Sequence, residues 1–263
     1  MTQEQLNEIL QLHYKWCYGE ADGIKANLHR ADLRGFDLHG MDFSNVDLSE
    51  ANLSMTDLRG TNLYMTNLYE TNLCEANLRG ANIVGVNLSS ANLQKANLSE
   101  ANLLDVNLCK TNLNGVNLHK ATLRKVNLCG ANLYGAILNK ANLNNVIYDA
   151  QTTFYALQCP EEGAFIGYKR CRENRIVKLL ITEDALRSSA TSRRCRASKA
   201  KVLEITDGKN PELTYDYAVS IYDGKFLYRV GEEVSVPNFD TNRWEECTTG
   251  IHFFITREEA MLH

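Results

Sequence analysis

Proline is nearly missing from this chain: three residues in 263, and none between residues 23 and 148. A stretch that long without proline keeps every backbone N–H available for ladder hydrogen bonds. Net charge is slight as well. With 28 basic against 32 acidic residues the chain carries −4, which points neither to a nucleic-acid binder nor to a strongly acidic protein. No apolar run approaches the roughly 18 residues that a membrane helix needs. The N-terminal MTQEQLNEIL lacks the basic start and apolar core of a signal peptide. A soluble, cytoplasmic protein that does not enter a membrane is the expectation.

C-x-x-C pairs are absent although there are eight cysteines: Cys17, Cys74, Cys109, Cys129, Cys159, Cys171, Cys195 and Cys247. Spread so widely through a mid-sized chain, they read as reduced thiols rather than a disulfide framework. A Gly-rich phosphate loop, a G-x-S-x-G elbow and an H-E-x-x-H motif are missing too. Catalysis has no positive signal, and no metal or cofactor is assigned.

What is present in abundance is a five-residue period. From Leu28 to Leu143 every fifth residue is Leu, apart from Phe43 and Ile83, which gives 24 consecutive repeats. Two residues earlier stands Ala, Thr or Val, with Phe36 and Met41 as larger variants. Between them comes Asn, replaced by Asp at positions 32, 37, 42, 47 and 57 and by Thr122 and Ile137. Five matches neither the 3.6 of a helix nor the 2 of a strand. A chain that turns about 90° per repeat removes the conflict: four repeats form a square coil of 20 residues with every Leu on the axis. Six such coils, stacked at the β spacing, make a rod on the order of 29 Å long. Only small residues beside the Leu column leave it room in so narrow a tube.

Residues 26–148 resemble the pentapeptide-repeat family almost without interruption. The resemblance implies a right-handed quadrilateral β-helix. Best known in that family are proteins that imitate DNA, bind type II topoisomerases and confer quinolone resistance. Charge tests this idea. Duplex DNA carries about three charges per coil height, whereas residues 26–146 hold ten acidic and ten basic residues. The first twelve repeats have eight acidic and four basic residues, the second twelve two and six. Such a rod is a dipole, not a polyanion, and the acidic half alone keeps a DNA-acting enzyme among the alternatives.

Function must then lie in the two free positions after each Leu. Tyr64, Met65, Tyr69, Val84 and Leu104, with Tyr69 and Met55 expected on the neighbouring faces near the same level, form a candidate interaction surface amid Ser, Asn, Arg, Lys and Glu. Cys109 and Cys129 fall on one face in successive coils, close enough for an oxidative cross-link or to remain two separate thiols. His29, His39 and His119 also point outward, without metal-site spacing.

The ends of a stacked tube must be blunted. Leu6, Ile9, Leu10, His13, Trp16 and Cys17 lie at helical spacing before Gly19 and Gly23, so residues 1–22 read as a capping helix, or alternatively as a partner-binding one. Residues 23–150 are the solenoid, with Tyr148 and Phe154 expected to close its far end. Residues 151–163 are a linker, and 164–263 a small, mostly antiparallel α+β domain. Its strand candidates are 164–171, 176–181, 202–205, 218–228 and 251–255, with Asp223-Gly224 as a hairpin turn and Thr256/Glu259 as a capping box. LNEILQLHYKW, YKRCRENRIVKLLI, SRRCRASKAKVLEI and ECTTGIHFFITREEA resemble a group of bacterial and phage pentapeptide-repeat proteins sharing this C-terminal domain. No activity comes with that resemblance.

Two features of the domain could carry chemistry. Segment 187–201 holds Arg187, Arg193, Arg194, Arg196, Lys199 and Lys201 with no acid, and is either an anion-binding site for phosphate or nucleic acid or a solvated basic loop. Cys247 and His252 could form a zinc site or a nucleophile–base pair, or be structural. The expectation is a non-enzymatic interaction scaffold with a protein partner or a second copy of itself. Its alternatives are partial DNA mimicry and ligand binding by the C-terminal domain.

Overall fold

A computed structural model describes residues 1–245 and 248–263. The chain divides into two compact units, Met1–Thr153 and Phe154–His263. No helix among the described residues is long and apolar enough to cross a membrane.

The first unit is the quadrilateral β-helix that the five-residue period demands. Parallel bridges join residues 20 apart, from Asn27–Asp47 to Asn127–Ile147. Most are made at the Asn/Asp position by two backbone bonds: Leu33 N–H donates to Asn52 O, and Asn52 N–H to Ala31 O, both at 2.9 Å. Between bridges the chain turns, as where Ala31 N–H closes on Leu28 O at 3.0 Å. The second residue after each Leu has positive φ in every repeat, from Arg30 at 58° to Asn145 at 60°. Positive φ at the third turn residue alone is the signature of a type II turn. The axial leucines from Leu28 to Leu138 are buried, as are most residues of the small-side-chain column. Where that column holds threonine the hydroxyl bonds a carbonyl: Thr61 to Leu58 O, Thr66 to Phe43 O and Thr111 to Leu88 O, at 2.7–2.8 Å. A buried hydroxyl satisfied in this way costs little.

The asparagines form a second ladder with a direction. Most Oδ1 atoms accept the N–H two residues on, and from Asn62 to Asn112 most Nδ2 groups donate to the residue 20 positions earlier. Asn92 thus accepts from Gln94 N–H and from Asn112 Nδ2, and donates to Asn72 Oδ1. Donation always runs toward the N-terminus, so residues at that end only need to accept. Aspartate can do that and nothing more. Asp42 accepts from Ser44 N–H and Asn62 Nδ2, and Asp47 from Ser49 and Asn67. The clustering of Asp in the earliest repeats follows from this polarity.

Helix α1 (Gln3–Cys17) belongs to the same unit, opened by a Thr2–Gln5 capping box. Leu6 is fully buried. His13, also buried, accepts Ala26 N–H at Nδ1 (3.1 Å), so Nε2 bears the hydrogen it donates to Ser44 O at 2.6 Å. One imidazole thereby ties the helix to the chain entering the first coil and to that coil's last side. Gly23 passes so close to the helix that a Cβ would stand 2.3 Å from Trp16 N. At the far end the repeat slips by one residue, with Asn132 bridging Thr153. Asp149 accepts Gly130 N–H, and Thr152 donates to Leu128 O. Tyr148, expected to close the core, is 55% exposed; buried Thr152 takes the inward place because it can bond the open carbonyl.

The second unit is antiparallel throughout. Strands β1 (Phe165–Arg170), β2 (Arg175–Ile181), β5 (Lys199–Asp207) and β8 (Glu233–Ser235) form one sheet in the order β1-β2-β5-β8. Strands β3 (Arg187–Ser189), β4 (Cys195–Ala197) and β9 (Ile251–Phe253) form a second. A hairpin of β6 (Tyr217–Val219) and β7 (Leu227–Arg229) is the third. Val177, Leu179, Val202, Ile205, Tyr228 and Phe253 make the core. Gly167 leaves room for the Phe253 ring, which a Cβ there would approach to 2.5 Å. The single expected run 218–228 is two strands, with Asp223-Gly224 opening a turn closed by Phe226 N–H on Asp223 O. The expected basic loop contains β3, β4 and the start of β5. Helix α2 (Arg257–Leu262) has the expected Thr256/Glu259 capping box.

Replacing Asn92 by Asp removes the donor to Asn72 and sets a carboxylate against an acceptor, so it should cost about 1–3 kcal/mol in denaturant titration. Asp42→Asn keeps every acceptor and should stay within about 0.5 kcal/mol of wild type. Equal effects from the two changes would contradict a directional ladder.

Candidate functional site

The two outward positions of a repeat are not equivalent. Tyrosines, cysteines, Val84 and Leu104 occupy the first, while Lys95, Lys110, Lys120, Lys125, Lys140 and all outward acids occupy the second, the one with positive φ. Branched and aromatic side chains are disfavoured in that backbone region, whereas Gly, Asn and long unbranched chains are accommodated.

Tyr64, Val84 and Leu104 are 20 residues apart and stack on one side of the coil. Tyr64 is 46% and Met65 53% exposed, while Val84 and Leu104 are half-buried. The Met65 thioether lies down over Gly85, with Sδ 2.6 Å from where a Cβ would be. Tyr69, 39% exposed, is on the adjacent side. The result is an apolar strip three coils tall, ending at Ser44 in one direction and at Asp105 and Arg124 in the other. Met55 does not join it. Ten residues from Met65 is half a coil, so Met55 stands on the opposite side.

Several charges on the solenoid surface are paired. Arg30 meets Glu50 at 2.8 Å, Arg79 meets Glu100 at 3.3 Å and Lys95 meets Glu75 at 3.8 Å. Asp32 and Asp57 bind Arg34 and Arg59 through two nitrogens each. The Arg34 guanidinium and backbone N–H hold Asp32 down to about 2, and Arg59 likewise lowers Asp57. Burial works against ionisation of Asp42 and Asp47, but hydrogen bonds from Ser44 with Asn62, and from Ser49 with Asn67, outweigh it and leave both below the usual range. Burial, the Asp149 charge and the neighbouring Cys109 thiol all push Cys129 upward, the reverse of what a reactive thiol requires.

The basic residues of 187–201 do not converge. Arg187 donates to the carbonyls of Pro160, Gly163, Thr182 and Glu183. Arg196 is no surface anion ligand: it is buried, donates to the carbonyls of Asp240, Thr249 and Asn242, and lies over Phe239. Strand β4 alternation turns it to the face opposite the core residues Cys195 and Ala197, where its guanidinium ties down the carbonyls of Asp240, Asn242 and Thr249. Arg193 pairs with Glu259 at 2.8 Å and Lys199 with Asp184. Lys201 is exposed on β5. Of the five candidate cations, Arg194 lines a cavity.

That cavity, ≈ 500 Å³, is lined by Lys169, Arg194, Ser220, Tyr222, Asp223, Phe226, Tyr228, Val236, Thr248–Gly250 and His252. His252 sits between buried Ile251 and Phe253 on β9, facing away from both. Cys247, its suggested partner, lies outside the described residues. Lys169 is the residue that sequence reasoning missed. It is 6% exposed at an inward position of β1 beside Gly167, its ammonium 5.8 Å from the Tyr222 ring centre. Burial pushes its pKa down, and Arg194 adds to this against the influence of Cys171. Cys171, buried beside it, is pushed up to about 11. A lysine two residues after a glycine on an apolar strand was the available signal.

Pentapeptide-repeat models match in eight copies over residues 21–63, 66–94, 91–128 and 111–147. Residues 155–260 match a family of unknown function, DUF5758. Among solved structures, HetL, a pentapeptide repeat protein involved in heterocyst differentiation regulation in the cyanobacterium Nostoc, is 32% identical over 46% of this chain and 63% of its own, short of two thirds, with a TM-score of 0.24. A pentapeptide repeat protein of the Arabidopsis thaliana thylakoid lumen is 30% identical over 41% of this chain and 72% of its own, with a TM-score of 0.28. QnrB1, a plasmid-mediated fluoroquinolone resistance protein, is 19% identical over 48% and 80%, with a TM-score of 0.25. No curated protein matches the chain.

Two outcomes follow from these contacts. Because the folded-state values of Asp32, Asp42, Asp47 and Asp57 are lowered, the folded state holds fewer protons. Their stabilisation is therefore complete above about pH 4 and disappears as pH falls toward 2. Pepsin should cut residues 26–65 at a higher pH than residues 86–145, which hold only two acids; the reverse order of cleavage would refute the assignment. Arg196→Ala leaves three carbonyls without their donor and should lower the stability of the second unit by about 3 kcal/mol, read from Trp244 fluorescence in urea. A midpoint unchanged from wild type would show that the 240–249 loop needs no such tie.

Proposed function

This chain belongs to the pentapeptide-repeat proteins, and from that premise we propose that it is a non-enzymatic interaction scaffold whose solenoid binds a protein partner through the Tyr64–Met65–Val84–Leu104 strip and Tyr69. One observation carries the reading. The apolar strip is continuous over three coils on a surface whose other outward residues are mostly polar or charged. Contiguous exposed apolar surface rimmed by polar residues is characteristic of an interface. The backbone beneath is fixed by two hydrogen bonds per bridge, so the strip is pre-organised and binding costs little ordering entropy. A second copy of the chain is one partner that such a strip accepts.

DNA mimicry draws less support. Its case rests on the acidic half, where Asp32, Glu50, Asp57 and Glu75 are paired with cations and Asp42 and Asp47 are turned to the asparagine ladder. A duplex would require about three free charges per coil.

Sedimentation of the full chain across a concentration series tests the scaffold reading, together with a photo-reactive residue at Tyr64 in host cells. Tyr64→Asp with Leu104→Asp should weaken self-association or the cross-linked complex at least tenfold, about 1.4 kcal/mol, with the unfolding midpoint unchanged. If the wild type stays monomeric and Tyr64 traps no protein, or if the double variant behaves as the wild type does, the strip is not the interface.

A further inference from the structure

We propose that the ≈ 500 Å³ cavity of the second unit is a binding site for a small phosphorylated molecule with a planar apolar body, its phosphate held by Lys169 and Arg194. A buried lysine normally faces a carboxylate, because an uncompensated buried charge costs several kcal/mol. Among the described residues no carboxylate lies within ion-pair distance of Lys169 or Arg194. The nearest charge influence on the ammonium that shares its sign is Arg194 itself. Two cations are thus held together in a partly desolvated concavity, where stability alone would place methionine or leucine at 169.

The remaining lining suits the same ligand. Ser220 accepts Asp223 N–H at 3.4 Å and keeps its own hydrogen for a phosphate oxygen, and Thr248 adds a second hydroxyl to the lining. Asp223 is the one acid in the lining among the described residues; its Oδ1 accepts Lys225 N–H at 2.9 Å within the turn, and two cations outweigh it. Phe226, Tyr228 and Val236 form an apolar wall, and Tyr222, 72% exposed, stands at the mouth with its ring toward Lys169. Cavities of this size take small molecules that bury most of their surface against apolar walls, with few convergent polar groups. A bounded concavity with two cations does not track a polymer backbone as a nucleic-acid groove does.

Calorimetric titration of the full chain with phenyl phosphate, inorganic phosphate, benzoate and a short oligothymidylate tests the proposal. Phenyl phosphate should bind best, with inorganic phosphate and benzoate each at least about tenfold weaker and the oligonucleotide weaker than phenyl phosphate. Lys169→Met should weaken phenyl phosphate at least tenfold while its unfolding midpoint stays level or rises, since it removes an unpaired buried charge. Should that variant fail to fold, half-buried Arg194→Met supplies the same readout. The proposal is overturned if phenyl phosphate gives no heat at millimolar concentration, or binds both variants like the wild type. It is overturned equally if the oligonucleotide binds tightest, and its apolar-body half is overturned if inorganic phosphate matches phenyl phosphate. None of these results bears on the solenoid strip, which lies in the other unit.

Discussion

Everything in the first unit depends on each coil landing in register with the one before it, twenty residues back. The backbone supplies two hydrogen bonds per bridge, but backbone groups are the same at every position and would tolerate a slip. The asparagine side chains do not. Most cap the N–H two residues on and reach back to the equivalent side chain of the preceding coil, so a slip of one residue would break the contact between coils. Because donation runs one way, the ladder has a beginning, and the aspartates mark it.

The same register confines what the surface can be. The positive-φ corner admits glycine, asparagine and long unbranched chains, and these chains carry most of the outward charge. The position before it admits rings and branched residues, and these form the apolar strip. Surface chemistry is thereby sorted in part by backbone conformation: the outward acids stand at the positive-φ position, and rings and branched residues at the one before it. Met55 and Met65 are apolar residues at the charged position, unbranched like the chains that surround them, and Met65 lies down over Gly85 in the next coil.

In the second unit arginine holds together what short strands cannot. Arg187, Arg196 and Arg243 each donate to carbonyls of loops that have no ladder of their own. Lys169 breaks this pattern, since it is buried without any acceptor among the described residues, and it faces the cavity instead of a loop.

The sequence alone determined the solenoid, because a five-residue period has few other physical solutions, and it located the N-terminal cap and the helix opened by Thr256. It also exposed the strip of Tyr64, Met65, Val84 and Leu104, since spacing by twenty follows directly from the coil. That Met55 stands apart was also legible, since ten residues is half a coil, but the sequence could not tell that Tyr148 turns outward where Thr152 bonds the last open carbonyl. Least legible were the basic residues. Read along the chain, Arg193 to Lys201 look like one patch; in space, strand alternation and distant partners such as Glu259, Asp184 and the 240–249 carbonyls disperse them. Lys169 and Arg194, 25 residues apart, meet only because β1 and the turn before β4 are brought together by tertiary packing. Local periodicity fixes a repeat, whereas a site built from non-local contacts depends on which strands pair, and no short window of sequence contains that information.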